Sequence, residues 1–165
     1  MPPGELPPPG VVILGVGNLL MGDEGLGVRL LQWLEQHRAF PPVVELLDGG
    51  TAGLALLPRL EGAEGLLILD AVRSREPPGA IIVLEGNAVP ARLSGALTPH
   101  QAGVSDLMAA MLLQGSLPPR VALVGIVPQN VSLGLELSPA VAAALPVAAE
   151  RVALLLAEWK IPTVS

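Results

Sequence analysis

Two carboxylates stand inside a glycine-rich turn, "GVGNLLMGDEGLG", from Gly15 to Gly27. Asp23 and Glu24 occupy the place where a phosphate-binding loop presents bare backbone amides or a lysine. A further acid, Asp70, ends the apolar run "LLIL", and His100 follows Pro99 in "TPHQ". Glu24, Asp70 and His100 offer two carboxylates and one imidazole from three separate segments. That donor set, with positions left open, suits a divalent metal such as zinc, nickel or iron(II). It suits metal-free acid–base work equally well.

Each of these residues also has an ordinary explanation. Asp23 or Glu24 can simply favour a helix start, where the dipole welcomes acids. Asp70 can cap a turn, and a lone loop histidine is often structural. His37, beside Arg38, reads as a solvated helix-end residue, and Asp106 as a first-turn acid. A dinucleotide reading can use Gly15, Gly17 and the later glycines, with Asp48 as the acid after a second strand. Against it, Asp23 and Glu24 would repel a pyrophosphate by a few kcal/mol at ~4 Å and an effective dielectric of ~20. The chain contains neither H-E-x-x-H nor G-x-S-x-G, so neither a zincin nor a serine-hydrolase elbow is indicated.

The elements that must position these residues follow from hydrophobic patterning. Continuous apolar runs at 11–17, 43–50, 65–71, 79–86 and 120–129 read as strands, the fourth of them as a candidate edge strand. Leu26, Leu30, Leu31 and Leu34 recur at helical spacing between Glu24 and about Arg38. Thr51 can cap a short helix to about Leu60. A helix is expected from Gly103 to Gln114, stopped by Gly115. The last helix, from Ser138 to about Glu158, has Ser138 as its cap and Pro139 in its first turn. Strands alternating with helices predict an α/β fold, a mostly parallel sheet with helices on both faces. In such sheets ligands gather beyond the carboxyl ends of the strands. Glu24, Asp48 and Asp70 fall there, as does His100 if its loop folds over the same edge.

The chain has 165 residues, 51% of them hydrophobic and 15% charged, which suffices for one domain with a two-sided core. Residues 1–10, "MPPGELPPPG", read as a flexible Pro/Gly-rich leader without the basic start of an export signal, and 11–160 as a single domain. No uncharged apolar run approaches 18 residues, so no membrane span is expected. The absence of cysteine excludes disulfides, thiolate nucleophiles and thiolate metal sites. The net charge is −6, Lys160 is the one lysine, and aromatics are scarce, so no nucleic-acid footprint is visible. A cytoplasmic location is expected.

The stretches "LGVGNLLMGDEGLGVR" (14–29), "LDGGTAG" (47–53), "LILDA" (67–71), "TPHQAGVSDL" (98–107) and "LVGIVP" (123–128) carry a more specific signal. In these stretches and their order the chain resembles the nickel–iron hydrogenase maturation endopeptidases, and most of all those serving uptake-type, group 1 hydrogenases. The resemblance spans Val11 to about Trp159. It implies a three-layer α/β fold around a mostly parallel, five-stranded twisted sheet. It implies a cytoplasmic protease that removes a C-terminal extension from the nickel-loaded hydrogenase large-subunit precursor, cutting after a His or Arg beyond the last cysteine motif. The family's metal ligands map onto Glu24, Asp70 and His100, with nickel supplied by the substrate and zinc or cadmium able to take its place. Asp48 and Gly49 match a loop implicated in recognition or cleavage. Glu24, Asp48 and Asp70 are therefore the candidate catalytic carboxylates. The resemblance leaves open whether water is activated at the metal or by a carboxylate such as Asp48. A non-catalytic metal-binding assembly chaperone of the same fold is the alternative.

Overall fold

The computed structural model describes residues 10–94 and 102–164. The strands are β1 (Val11–Val16), β2 (Val44–Gly50), β3 (Gly65–Ala71), β4 (Ile81–Glu85) and β5 (Arg120–Ile126). The helices are α1 (Leu26–His37), α2 (Leu57–Leu60), α3 (Ala88–Ser94), α4 (Ala102–Gln114) and α5 (Pro139–Glu158). Short 3-10 turns at Gly22–Gly25 and Gly53–Leu56 lead into α1 and α2. One five-stranded sheet runs in the order β2-β1-β3-β5-β4. Its first four strands are parallel, and β4 pairs antiparallel to β5 at the edge.

Both faces of this sheet are covered, which explains why the strand sequences are continuous apolar runs rather than alternating ones. On one face Ile13 of β1 and Leu67 and Leu69 of β3 pack against Leu26, Leu30 and Leu34 of α1 and against α5. On the other face Val12, Leu14, Leu66 and Ile68 pack against Leu56, Leu60, Val89 and the Val104–Met111 stripe of α4. Alternate residues of each strand thus belong to opposite cores. Among the described residues, α5 alone is long and apolar enough to span a membrane. Its Val141, Ala144, Ala148, Val152, Leu155 and Leu156 are buried against the sheet.

Several local expectations are corrected. Thr51 is exposed and caps nothing, because the chain enters a 3-10 turn capped by Ala52 and only then the single helical turn of α2. Helix α3 is an element the sequence reading lacks, with Pro90 tolerated in its first turn. The fifth strand ends at Ile126, and 127–138 form a loop. Ser138 does stand at the N-cap of α5, but its hydroxyl makes no cap bond. Asp106 lies beyond the first turn of α4, exposed. His37 closes α1 as read, stacked on Trp33 at the surface.

Candidate active site

The ends of β1 and β3, together with the 3-10 turn before α1, build the site. Helix α1 lies unusually close to the sheet. A Cβ at Gly27 would stand 2.2 Å from the Leu69 carbonyl oxygen and 2.3 Å from that of Val16, so only glycine lets the helix seat there. At the end of β1 the chain turns through Gly17, with φ at 132°. A Cβ on Gly17 would fall 1.9 Å from the Glu24 carbonyl oxygen. Gly17 N–H donates to the Gly50 carbonyl at 2.9 Å, which ties the ends of β1 and β2 together. The glycines of the opening stretch therefore serve close backbone approach, and the turn carrying Glu24 is pressed onto the strand ends.

Asp23, Glu24 and Asp70 are the buried charged residues among those described. Asp70 is the sixth residue of β3 and by parity faces the α4 side, with Leu66 and Ile68. It lines a cavity of about 390 Å³ together with Val16, Met21, Thr51, Gly103 and Val104. Burial pushes the Asp70 carboxyl up to about 8. The Ala71 N–H, donating to Oδ1 at 2.8 Å, pulls it down, and the neighbouring Glu24 charge raises it again. Two carboxylates that repel one another in a buried place are a poor resting arrangement for two negative charges and a good one for a cation between them. The donor set therefore fits a divalent ion. Among the described residues no cluster of three or more His, Cys, Asp or Glu is assembled. His100 lies outside the described residues.

Asp23 behaves quite differently from Glu24. Its carboxylate is fully buried and turns away from α1, which has no side-chain cap at all. Oδ2 accepts from Gln129 N–H at 2.8 Å, from Asn130 N–H at 2.9 Å and from the Ser138 hydroxyl at 2.7 Å, and Oδ1 accepts from Ser138 N–H at 2.8 Å. Burial raises this carboxyl, but the four donors outweigh it and hold Asp23 below the usual carboxylate range. Nothing in the local sequence signals these partners.

Asp48 stands apart from the Glu24–Asp70 pair. It is exposed, and its Oδ1 accepts Gly50 N–H at 3.0 Å. Val44 and Leu46, which share its parity, pack into the α1-side core, so Asp48 faces the opposite side of the sheet from Asp70. It lines a second, shallower depression of about 260 Å³ with Leu19 and Val28. Gly17, Asn18, Gly50 and Thr51 border both depressions and form the ridge between them.

Known proteins share this architecture. Residues 28–154 match the hydrogenase maturation protease family, HycI. The chain belongs to that family. The hydrogenase 2 maturation protease of Escherichia coli K12 is 39% identical over 149 residues, covering 90% of this chain and 91% of that one. The hydrogenase expression/formation protein HupD of Rhodobacter capsulatus is 40% identical over 156 residues, covering 93% of this chain and 74% of that one. The hydrogenase maturating endopeptidase HybD from E. coli superposes with a TM-score of 0.88 at 37% identity, covering 93% of this chain and 96% of that one. Fold and family agree with the resemblance stated above, and the protein is a hydrogenase maturation protease.

Proposed function

We propose that this protease removes the C-terminal extension of a nickel-loaded nickel–iron hydrogenase large-subunit precursor, cutting after a His or Arg beyond the last cysteine motif. The observation that carries the reading is the Glu24–Asp70 pair, two buried carboxylates from separate segments that repel one another, with Asp70 lining a cavity at the carboxyl edge of the sheet. Nickel arrives with the substrate, held there by the precursor. Glu24 and Asp70 face it, and His100 is proposed as the third ligand. A divalent cation bound there offsets the repulsion between the two acids and lets Asp70 ionise. Zinc or cadmium can occupy the same donors.

The chain's own part is positioning. A peptide entering the cavity meets bare glycine backbone at Gly17, Gly50, Gly53 and Gly103 between the side chains of Val16, Met21, Thr51 and Val104. Nickel supplies a Lewis acid that fixes and polarises the segment to be cut. A second reading keeps nickel as a positioning device and assigns water activation to Asp48. Its exposure favours that role, while its place across the ridge from Asp70 sets it beside a flanking part of the peptide. The enzyme is proposed to work in the cytoplasm before the substrate assembles.

The test is a gel-shift cleavage assay on purified large-subunit precursor, with and without bound nickel. Shortening of the nickel-loaded form alone is expected. Shortening of both forms would remove nickel as the recognition device. Binding without shortening of either would replace the protease reading with that of an assembly chaperone. Asp70→Ala should abolish cleavage, and full activity in that variant would take Asp70 out of the site.

A further inference from the structure

The loop from Val127 to Ser138 and the turn that carries Glu24 are sewn together at several points. Asp23 N–H donates to the Asn130 carbonyl at 2.9 Å, and Gly22 N–H donates to the Gly134 carbonyl at 2.9 Å. In return, Gly134 N–H donates to the Leu20 carbonyl at 2.8 Å, so Met21 and Gly134 form an isolated parallel bridge. Arg29 Nη2, one turn into α1, donates to the Leu135 carbonyl at 2.8 Å. The Asp23 carboxylate is the centre of this seam, fully buried and accepting from Gln129, Asn130 and both donors of Ser138.

The energetic weight of the seam lies in that side chain. A fully buried carboxylate is costly unless its oxygens are satisfied, and hydrogen bonds to a charged acceptor are the strong ones. Asp23 spends all four on the loop and none on its own helix. Glu24 is the very next residue, its backbone pinned from below by the close approach of Gly17. The turn is thus gripped on two sides, by the strand end beneath and by the loop beside it.

We infer that Asp23 is the positioning residue for Glu24, clamping the 127–138 loop onto the turn so that the two move as one unit. This rests on the reading of Glu24 as a substrate-facing carboxylate. Asp23 itself touches no reacting atom. Its work is to hold its neighbour in place, as outer partners of metal-facing residues do, where loss typically costs about 10–100-fold in activity.

The full chain is tested with Asp23→Asn, Ser138→Ala and Glu24→Gln. Asparagine keeps the shape but turns a donor toward the loop's donors. Ser138→Ala deletes only the hydroxyl bond and leaves the Ser138 backbone donor, covering the case in which Asp23→Asn does not fold. Hydrogen–deuterium exchange is read on peptides covering 18–25 and 129–138, and kcat and KM on nickel-loaded precursor. In Asp23→Asn both segments should lose protection together, and kcat should fall at least about tenfold with KM within about threefold. Ser138→Ala should move both readouts in the same direction by less. Loosening of 129–138 alone, or an unchanged kcat in variants whose exchange has risen, would overturn the proposal. Glu24→Gln separates the two readings. If it abolishes cleavage while Asp23→Asn leaves kcat intact, the site stands and the clamp falls. If Glu24→Gln cleaves at the wild-type rate, the site reading falls, and the clamp then has no substrate-facing neighbour to position.

Discussion

Replacing Gly27 by alanine tests the seating of α1 on the strand ends. The new methyl would meet the Leu69 carbonyl oxygen at 2.2 Å and the Val16 carbonyl oxygen at 2.3 Å. Both obstacles are backbone atoms of central parallel strands, so the helix must yield, retreating by about 1 Å to restore ordinary contact. Forced overpacking costs about 3 kcal/mol at its upper end. The retreat also thins the packing under Leu26, Leu30, Leu31 and Leu34, all buried on this face. Alanine's better helix propensity returns about 1 kcal/mol. A net loss of about 2 kcal/mol is expected, a fall in melting temperature of about 4–8 °C for a chain of this size. Urea unfolding measures it, with Gly134→Ala as the control. A Cβ at Gly134 meets nothing within 4 Å, so its midpoint should stay within about 0.5 kcal/mol of wild type. Cleavage should suffer as well, because the Leu69 carbonyl belongs to the peptide unit leading into Asp70. An unfolding midpoint for Gly27→Ala equal to that of Gly134→Ala would refute the close-approach reasoning.

Three further outcomes follow from other parts of the molecule. In the metal-free protein the Asp70 carboxyl, at about 8, lies well above its ordinary value of ~3.9, so the fold holds a proton that the unfolded chain releases. That contribution is present below about pH 4 and is lost as pH rises toward 8; Asp70→Asn should therefore unfold at higher urea than wild type at pH 8, with the gap closing toward pH 5. Glu150→Gln, which breaks the Arg38–Glu150 pair, should change stability by no more than about 0.5 kcal/mol in double-mutant measurements, because the Glu150 side chain is 68% exposed. Pro146→Ala, inside α5 at an exposed position, should stabilise by about 1–2 kcal/mol in thermal unfolding, the regained helix propensity exceeding the stiffness lost from the unfolded chain.

The sheet was legible because its central strands β1, β3 and β5 are buried on both faces, which leaves uninterrupted apolar runs such as "GLLILDA". Asp70 was legible because an acid at the end of such a run conflicts with burial, and Glu24 because an acid stands where a glycine-rich phosphate loop presents bare amides. The side of the sheet that Asp48 faces was hidden in plain view: counting alternate residues from Leu46 places it opposite Asp70. Helix α3 escaped because its seven residues carry Pro90 and too little length to establish a period. The partners of Asp23 were beyond reach of any local rule. Ser138 has every property of a helix cap, and only the folded chain shows its hydroxyl donating to a carboxylate 115 positions earlier in the sequence.

That separation bears on when the enzyme becomes competent. Glu24 is made before any strand but β1, whereas the loop that grips its turn is made only after β5. Strand β5 must insert between β3 and β4 before Gln129, Asn130 and Ser138 can reach Asp23. Contacts of such long range form late, after the loop-closure entropy of the intervening chain has been met. A nascent or truncated chain thus carries the acidic turn without its grip. The geometry that holds Glu24 against the strand ends belongs to the finished protein, so synthesis itself sets the moment at which the site comes into being.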